Sequence, residues 1–221
     1  MGSADGLKIE GRAGGPLMTV SYWLTDEATG RWALVDPTYE ASATWADRLA
    51  AAPAPHAIYI THGHFDHCGG AADILRRWPG TPLWVHPHSR PMVENGALNG
   101  SGWAGLPYEP VKATDEYREG DVVELGASRL EVLEAPGHCP GSVLLCRGRQ
   151  VLVGDVIFHG SVGRWDLPGA DYETLARSIR EKVKTLIDET VLYPGHGPET
   201  TVGEERAYNM IVQKMLRGET V

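Results

Sequence analysis

Residues 60–70 read ITHGHFDHCGG, and this stretch decides the fold. Three of the chain's nine histidines and one aspartate fall here, at His62, His64, Asp66 and His67. The preceding HAIYI (56–60) is apolar and partly β-branched, which predicts a short buried strand. If the chain stays extended past Ile60, then His62, His64 and Asp66 point to one side, because side chains alternate along a strand. His67 breaks the alternation and is expected to open the helix suggested by GGAADILRRW (69–78), which Pro79-Gly80 ends. Four metal-capable groups then converge at the carboxyl end of a strand, where open α/β sheets keep their sites. A lone histidine is ordinarily a hydrogen-bonded core or surface residue. A His-x-His-x-Asp-His string points to a metal instead.

Outward from this stretch, PLMTVSYWL (16–24) and GRWALVD (30–36) read as strands joined by a turn, and 41–52 as an alanine-rich helix stopped by Pro53 and Pro55. PLWVH (82–86) is a further strand. Residues 95–110, NGALNGSGWAGLPYEP, are too rich in Gly, Asn and Pro for regular structure, and a loop this long often covers a site. The second half holds short strands at DVVEL, RLEVLEA, SVLLCR and QVLVGD, a helix over 171–184, the strand TVLYP and a last helix from about Gly203. This order suggests two sheets face to face with helices outside. Three later strand ends again carry His or Asp: His138 in EAPGHCPGS, Asp155 in QVLVGD and His196 in TVLYPGHGP.

With 221 residues, 42% hydrophobic and 22% charged, the chain suits one globular domain. A formal charge of −9 argues against nucleic acid or an anionic membrane as partner. Three cysteines without disulfide-like spacing fit a reducing compartment, and no apolar run approaches a membrane span, so a cytoplasmic protein is expected. The N-terminus contains IEGR, a string also used as an engineered protease site. Part of the first dozen residues is therefore either an addition or, on the other reading, a native first strand from Leu7 to Glu10.

THGHFDHCGG, GHCPGS, GD and PGHGP together resemble the motif series of the metallo-β-lactamase superfamily. GDVIFHGSVGRWDLPGAD (154–171) resembles its short, single-domain glyoxalase II-like (hydroxyacylglutathione hydrolase-like) branch. The resemblance implies an α/β fold, an αββα sandwich of two mixed β-sheets, formed by residues 16–221 with 1–15 as an N-terminal segment. It also implies a dinuclear site. His62, His64 and His138 would hold one metal, and Asp66, His67 and His196 the other, with Asp155 bridging both. Asp66 would have a second, catalytic role in orienting the attacking hydroxide. An imidazole-rich donor set suits zinc, with iron or manganese as alternatives, rather than calcium or magnesium. Two metals about 3.5–4 Å apart can share a water and make it a nucleophile at neutral pH. The implied enzyme is a metal-dependent hydrolase of small thioesters such as S-lactoylglutathione.

Departures bear on the substrate. The helical C-terminal domain of full-length glyoxalase II enzymes has no counterpart after His196, and Pro198 stands where they carry a tyrosine. Arg164 takes the place of a glutathione-contacting lysine and is the expected substrate-binding residue, with Asp166 where a tyrosine is expected. An iron-dependent persulfide dioxygenase, using His62, His138 and Asp155, is the alternative function, and a lactonase is another. Cys68 and Cys139 are expected beside the site as packing residues. His86 and His88 read as a capping or pocket-wall pair, and Asp36 as a support beneath the metal loop. His159 has two readings, pocket mouth or plain surface. Trp103 and Trp165 are the tryptophans expected to touch substrate.

Overall fold

The computed structural model describes residues 6–220. Its first strand, β1 (Leu7–Gly14), lies antiparallel to β2 (Thr19–Asp26) along its whole length, Leu7 opposite Asp26 and Gly14 opposite Thr19. The segment before residue 16, set apart on sequence, thus supplies the edge strand of the first sheet, and the expected strand Leu7 to Glu10 is its first half. Next come β3 (Trp32–Val35), β4 (Ile58–Tyr59), β5 (Leu83–Val85) and β6 (Asp115–Glu116), in spatial order β1 to β6. β2 and β3 are antiparallel, while β3 to β6 are parallel.

The second sheet holds β7 (Val122–Leu125), β8 (Ser128–Glu134), β9 (Val143–Arg147) and β10 (Gln150–Gly154). After a small hairpin of β11 (Ile157–Phe158) and β12 (Ser161–Val162), it is completed by β13 (Val191–Pro194) and β14 (Thr200–Thr201). Its order is β14-β13-β10-β9-β8-β7, with β10 and β13 parallel and the other pairs antiparallel. Both sheets are mixed, as expected.

Period-two alternation makes the layers. Val20, Tyr22 and Leu24 of β2 and Ala33 and Val35 of β3 face Val132, Val143, Leu145 and Leu152 of the second sheet in one buried cluster. The intervening Trp23, Trp32 and Leu34 face outward, onto α1 (Ala41–Thr44), α2 (Ala46–Leu49) and α4 (Ala71–Arg77), the last preceded by α3 (Phe65–Cys68). Trp23 and Trp32 stack at 3.7 Å between centroids. Such a pair contributes about 0.5–1.5 kcal/mol beyond its buried area. Two one-turn helices, α5 (Arg90–Val93) and α6 (Ser101–Ala104), lie in the long connection to β6. On the far side Leu144, Val151, Val153 and Leu192 pack with residues of α7 (Tyr172–Glu181), α8 (Val202–Tyr208) and α9 (Met210–Arg217). The layers are αββα. Among the described residues no helix is long and apolar enough to cross a membrane.

The expected helix over 41–52 is broken in two at Trp45. That residue is fully buried and donates its indole N–H to Ser21 Oγ at 3.3 Å, so tertiary anchoring overrides alanine's helix propensity there. The loop at 95–110 carries one helical turn, α6, where no regular structure was expected.

Candidate metal centre

Parallel pairing places the carboxyl ends of β3 and β4 on one rim of the first sheet, and those of β10 and β13 on one rim of the second. Asp36 follows β3, His62 and His64 follow β4, Asp155 follows β10 and His196 follows β13. His138 lies in the turn after β8. The sequence expectation fails in one local detail. Asp66 is not on an extended run, and His67 does not open the helix. Both sit on α3, which begins at Phe65 after an extended His64. A helical turn can aim two consecutive residues at one region, which a strand cannot.

All seven expected donors come together. His62, His64 and His138 form one group whose ligand atoms lie within 4.8 Å of one another; Asp66, His67 and His196 form a second, and His62, His67 and Asp155 a third. Asp155 reaches across them. Its Oδ1 is 3.1 Å from His67 Nε2, and its Oδ2 is 3.5 Å from His138 Nε2 and 3.4 Å from His196 Nε2. His64 Nδ1 and His138 Nε2 are 2.9 Å apart. Asp66 Oδ2 lies 3.3 Å from His196 Nε2 and 3.5 Å from His67 Nε2.

The donor set fits transition metals on a direct observation. His62 Nε2, His67 Nε2 and Asp155 Oδ1 are buried and have no hydrogen-bond partner. The His67–Asp155 contact is short enough to attract but misaligned for a hydrogen bond. His62 Nε2 belongs to the same group of donor atoms, all within 4.8 Å of one another. Orphaned buried polar atoms are rare and costly, so three in one cluster require an outside partner. Imidazole with carboxylate is the donor chemistry of zinc, iron or manganese.

A ring of partners fixes the donors. Asp36 Oδ2 accepts from His67 Nδ1 at 2.9 Å and from Thr61 Oγ1 at 2.6 Å, while Oδ1 accepts the Thr61 N–H at 2.7 Å. Asp36 is the support expected of it. Thr19 donates its hydroxyl to Asp66 Oδ2 at 2.7 Å, and the Arg164 carbonyl accepts from His138 Nδ1 at 2.9 Å. These contacts hold the His67 and His138 rings in one tautomer and orientation. Gly195 is obligatory, because a Cβ there would collide with Asp155 Oδ1 and the His67 ring. Thr19 and Thr61 were not singled out on sequence. Thr61 had a signal in its place inside THGH; Thr19 had none.

Protonation divides the cluster. Burial, then the charge on His67, keeps His62 well below the usual imidazole range. Burial, then His138, presses His64 down to about 3, and burial also lowers His138. These three are neutral, with lone pairs to give. Burial pulls Asp66 up, but His67 and hydrogen bonds from His196 and Thr19 hold it at about 2. Asp155 is likewise held ionised against burial, chiefly by His67. Burial opposes charge on His67 and His196, yet the carboxylates raise both, His196 to about 9. Metal seated there competes with those protons, so its affinity falls with pH.

A cavity of about 410 Å³ opens over the donors, with His64, Asp66, His138, Asp155 and His196 in its lining. The long connection supplies Leu98 and Trp103 to its wall, as a covering loop would. Arg164 also lines the cavity, but its guanidinium is forked onto Asp166, Nε to Oδ1 at 2.8 Å and Nη2 to Oδ2 at 2.9 Å. Trp165 is not in the lining. Its ring is turned to Tyr172, edge-on at 5.4 Å, against the second sheet's outer cluster. His159 is exposed, 3.9 Å from Glu205 and outside the cavity. His86 uses both nitrogens structurally, on Glu134 at 2.9 Å and on the His88 N–H at 3.2 Å. Cys68 and Cys139 are buried beside the cluster, Cys68 against the His64 carbonyl and Cys139 against the Met92 sulfur. Burial pushes both thiols up, Cys68 to about 12, as suits packing residues.

Comparison with known proteins agrees with this geometry. The chain is 40% identical over 158 residues to "Probable metallo-hydrolase YqgX" of Bacillus subtilis, covering 70% of this chain and 74% of that one. It is 33% identical over 156 residues to "Hydroxyacylglutathione hydrolase GloC" of Haemophilus influenzae, covering 69% and 73%. Among solved structures, BLEG-1 B3 metallo-beta-lactamase superposes with a TM-score of 0.85 at 33% identity, covering 93% of this chain and 99% of that one. TTHA1623 in a di-iron-bound form superposes at 0.78 with 36% identity, covering 91% and 98%. The family model of the metallo-beta-lactamase superfamily matches residues 14–196, from the end of β1 to the last donor histidine. The chain belongs to the metallo-beta-lactamase superfamily.

Proposed function

We propose that this superfamily hydrolase is dinuclear and cleaves small thioesters, S-lactoylglutathione being the first to test. The observation that carries the reading is Asp155, whose two oxygens face His67 on one side and His138 and His196 on the other. One ion would take His62, His64 and His138, and the other Asp66, His67 and His196, with Asp155 shared. Zinc is the first choice for both. Iron has separate support in the di-iron form of TTHA1623, and manganese suits the same donors. When bound, such a pair lowers the pKa of a water to about 7 and polarises a carbonyl.

The chain's own residues do the rest. Asp66, ionised and held by Thr19, orients the attacking water by accepting a hydrogen bond from it. The water oxygen bonds to the acyl carbon and the carbon–sulfur bond breaks, leaving a carboxylate and a thiolate while the water's two protons pass to solvent. Sulfur leaves as a stable thiolate, so no strong protein acid is needed. The name of the GloC relative supports a thioester substrate. Similarity to BLEG-1 supports a β-lactam as a second class, whose carbon–nitrogen bond would break with the nitrogen taking a proton from the attacking water.

Elemental analysis of protein purified without chelator, followed by assays on a thioester panel and a cephalosporin, tests the reading. Two metals per chain with thioester hydrolysis is expected. Asp155→Ala should lose both metals, because in this assignment it is the one donor that the two ions would share. One iron per chain, no thioester hydrolysis and oxygen uptake with glutathione persulfide would overturn it in favour of a dioxygenase.

A further inference from the structure

The floor of the cavity is polar, but its wall is not. Leu17, Leu98, Trp103, Phe158, Leu167 and Pro168 form that wall. Three of them are unusually open, Leu17 at 51%, Leu98 at 55% and Trp103 at 72% exposure. Single exposed apolar residues are ordinary on any protein. Several converging on one concave surface beside a reactive cluster mark a binding surface for apolar matter.

Trp103 is carried on an anchored turn. It rides on α6, between Gly100 and Gly105, both in the left-handed region at φ 91° and 65°. Asn99 anchors that turn to the donor loop. Its side-chain oxygen accepts the Ser101 N–H at 3.0 Å, and its carbonyl accepts the Phe65 N–H at 3.0 Å, between His64 and Asp66.

The charges give the complementary half of the argument. Apart from the proposed donors, Arg164 is the one charged side chain in the cavity lining among the described residues. Its guanidinium is occupied by Asp166 through two parallel hydrogen bonds. A glutathione thiol brings two carboxylates. The lining has no uncommitted cation for either. Selectivity follows from such unpaired or repelled groups as much as from attraction.

We infer that the preferred thioester carries an uncharged apolar substituent, seated on this wall, and that Trp103 determines specificity for it. The inference rests on the thioester-hydrolase reading and narrows its substrate. Either the acyl or the thiol part can be the apolar one, so the test varies each separately. Metal-loaded protein is assayed on acetyl, butyryl and hexanoyl thioesters of N-acetylcysteamine, and on acetyl thioesters of glutathione, N-acetylcysteamine and hexanethiol. Either kcat/KM should rise roughly threefold per added methylene along the acyl series, or hexanethiol should lead the thiol series, in each case carried by KM. The glutathione thioester should trail the uncharged ones. Trp103→Ala should flatten the rise and Trp103→Phe should keep most of it, which loss of loop structure alone would not produce. Calorimetry with the inert thioether S-hexyl-N-acetylcysteamine should show roughly tenfold weaker binding to Trp103→Ala. Brisk turnover with a flat series, or with glutathione preferred, would overturn the inference and leave the hydrolase standing. No turnover of any thioester by metal-loaded protein would remove both.

Discussion

Asp36 and His67 form a buried pair, Oδ2 accepting from Nδ1 at 2.9 Å, with the His67 side chain fully enclosed and Asp36 only 2% exposed. Asp36 accepts from two further donors, both on Thr61. An amide in its place has one oxygen for three donors. Asp36→Asn should therefore weaken metal at the Asp66, His67 and His196 group by about 10- to 100-fold. The His62, His64 and His138 group should be little affected. Chelator competition reads the two affinities, with circular dichroism to confirm the fold. Equal loss at both groups would show that Asp36 acts on the whole loop and not on His67.

Thr19 is expected to matter for rate rather than for metal content. Thr19→Val keeps the shape but removes the hydroxyl bonded to Asp66. Loss of a hydrogen bond to a buried charged group costs about 1.5–3 kcal/mol, or a tenfold or greater fall in kcat if the bond serves the transition state. Metal analysis and kcat on the same preparation check this. A large loss of metal with unchanged turnover per metal would reassign Thr19 to holding the ligand in place.

Breaking the Arg164–Asp166 fork should change which substrates bind. Asp166→Ala frees the guanidinium of a lining residue and removes the negative charge paired with it. KM for a glutathione thioester should fall, while that of an uncharged thioester stays within about twofold, since an exposed pair contributes little to stability. A rise in KM for both substrates would mean that the fork itself shapes the cavity.

Asp26 predicts the acid limb of stability. At the end of β2 it accepts from the Thr29 N–H and hydroxyl and, across the sandwich, from Ser128. Burial raises its pKa, but these hydrogen bonds outweigh it and hold the group at about 2, below the ordinary 3.8. A depressed carboxylate stabilises the fold fully above about pH 4, and the contribution is lost as pH falls towards 2. Its size is about 2 kcal/mol. Asp26→Asn should be less stable than the parent by that amount at pH 7, the gap closing near pH 2 in urea titrations. A gap that does not change with pH would mean that the loss is steric.

The donors were legible because chemistry concentrated them. His62 to His67 stand in one string, and His138, Asp155 and His196 each close a strand beside glycine. Their aim was less legible, because the switch from strand to α3 is set by contacts such as Phe65 N–H to the Asn99 carbonyl. Thr19 lies 47 residues from Asp66, and only the folded sheet joins them. Trp165 shows the same limit. Its neighbourhood suggested substrate, but its ring is turned to Tyr172, and a linear sequence does not show which way a side chain turns. The break at Trp45 and the enrolment of residues 7–14 in β1 were likewise decided by distant partners, Ser21 and β2.

The donor set straddles the sandwich. His62, His64, Asp66 and His67 hang from the first sheet, and His138, Asp155 and His196 from the second. Every group that can seat an ion draws on both. An ion there is a clasp between two half-shells, and the packing between them is the gauge that sets its span. Shaving Leu145 or Tyr59 in the shared interior, neither of them in the cavity lining, would let the halves shift and slacken the clasp. By the same linkage a seated ion resists their parting, so stripping it with chelator should lower the melting temperature of the whole molecule rather than loosen one loop.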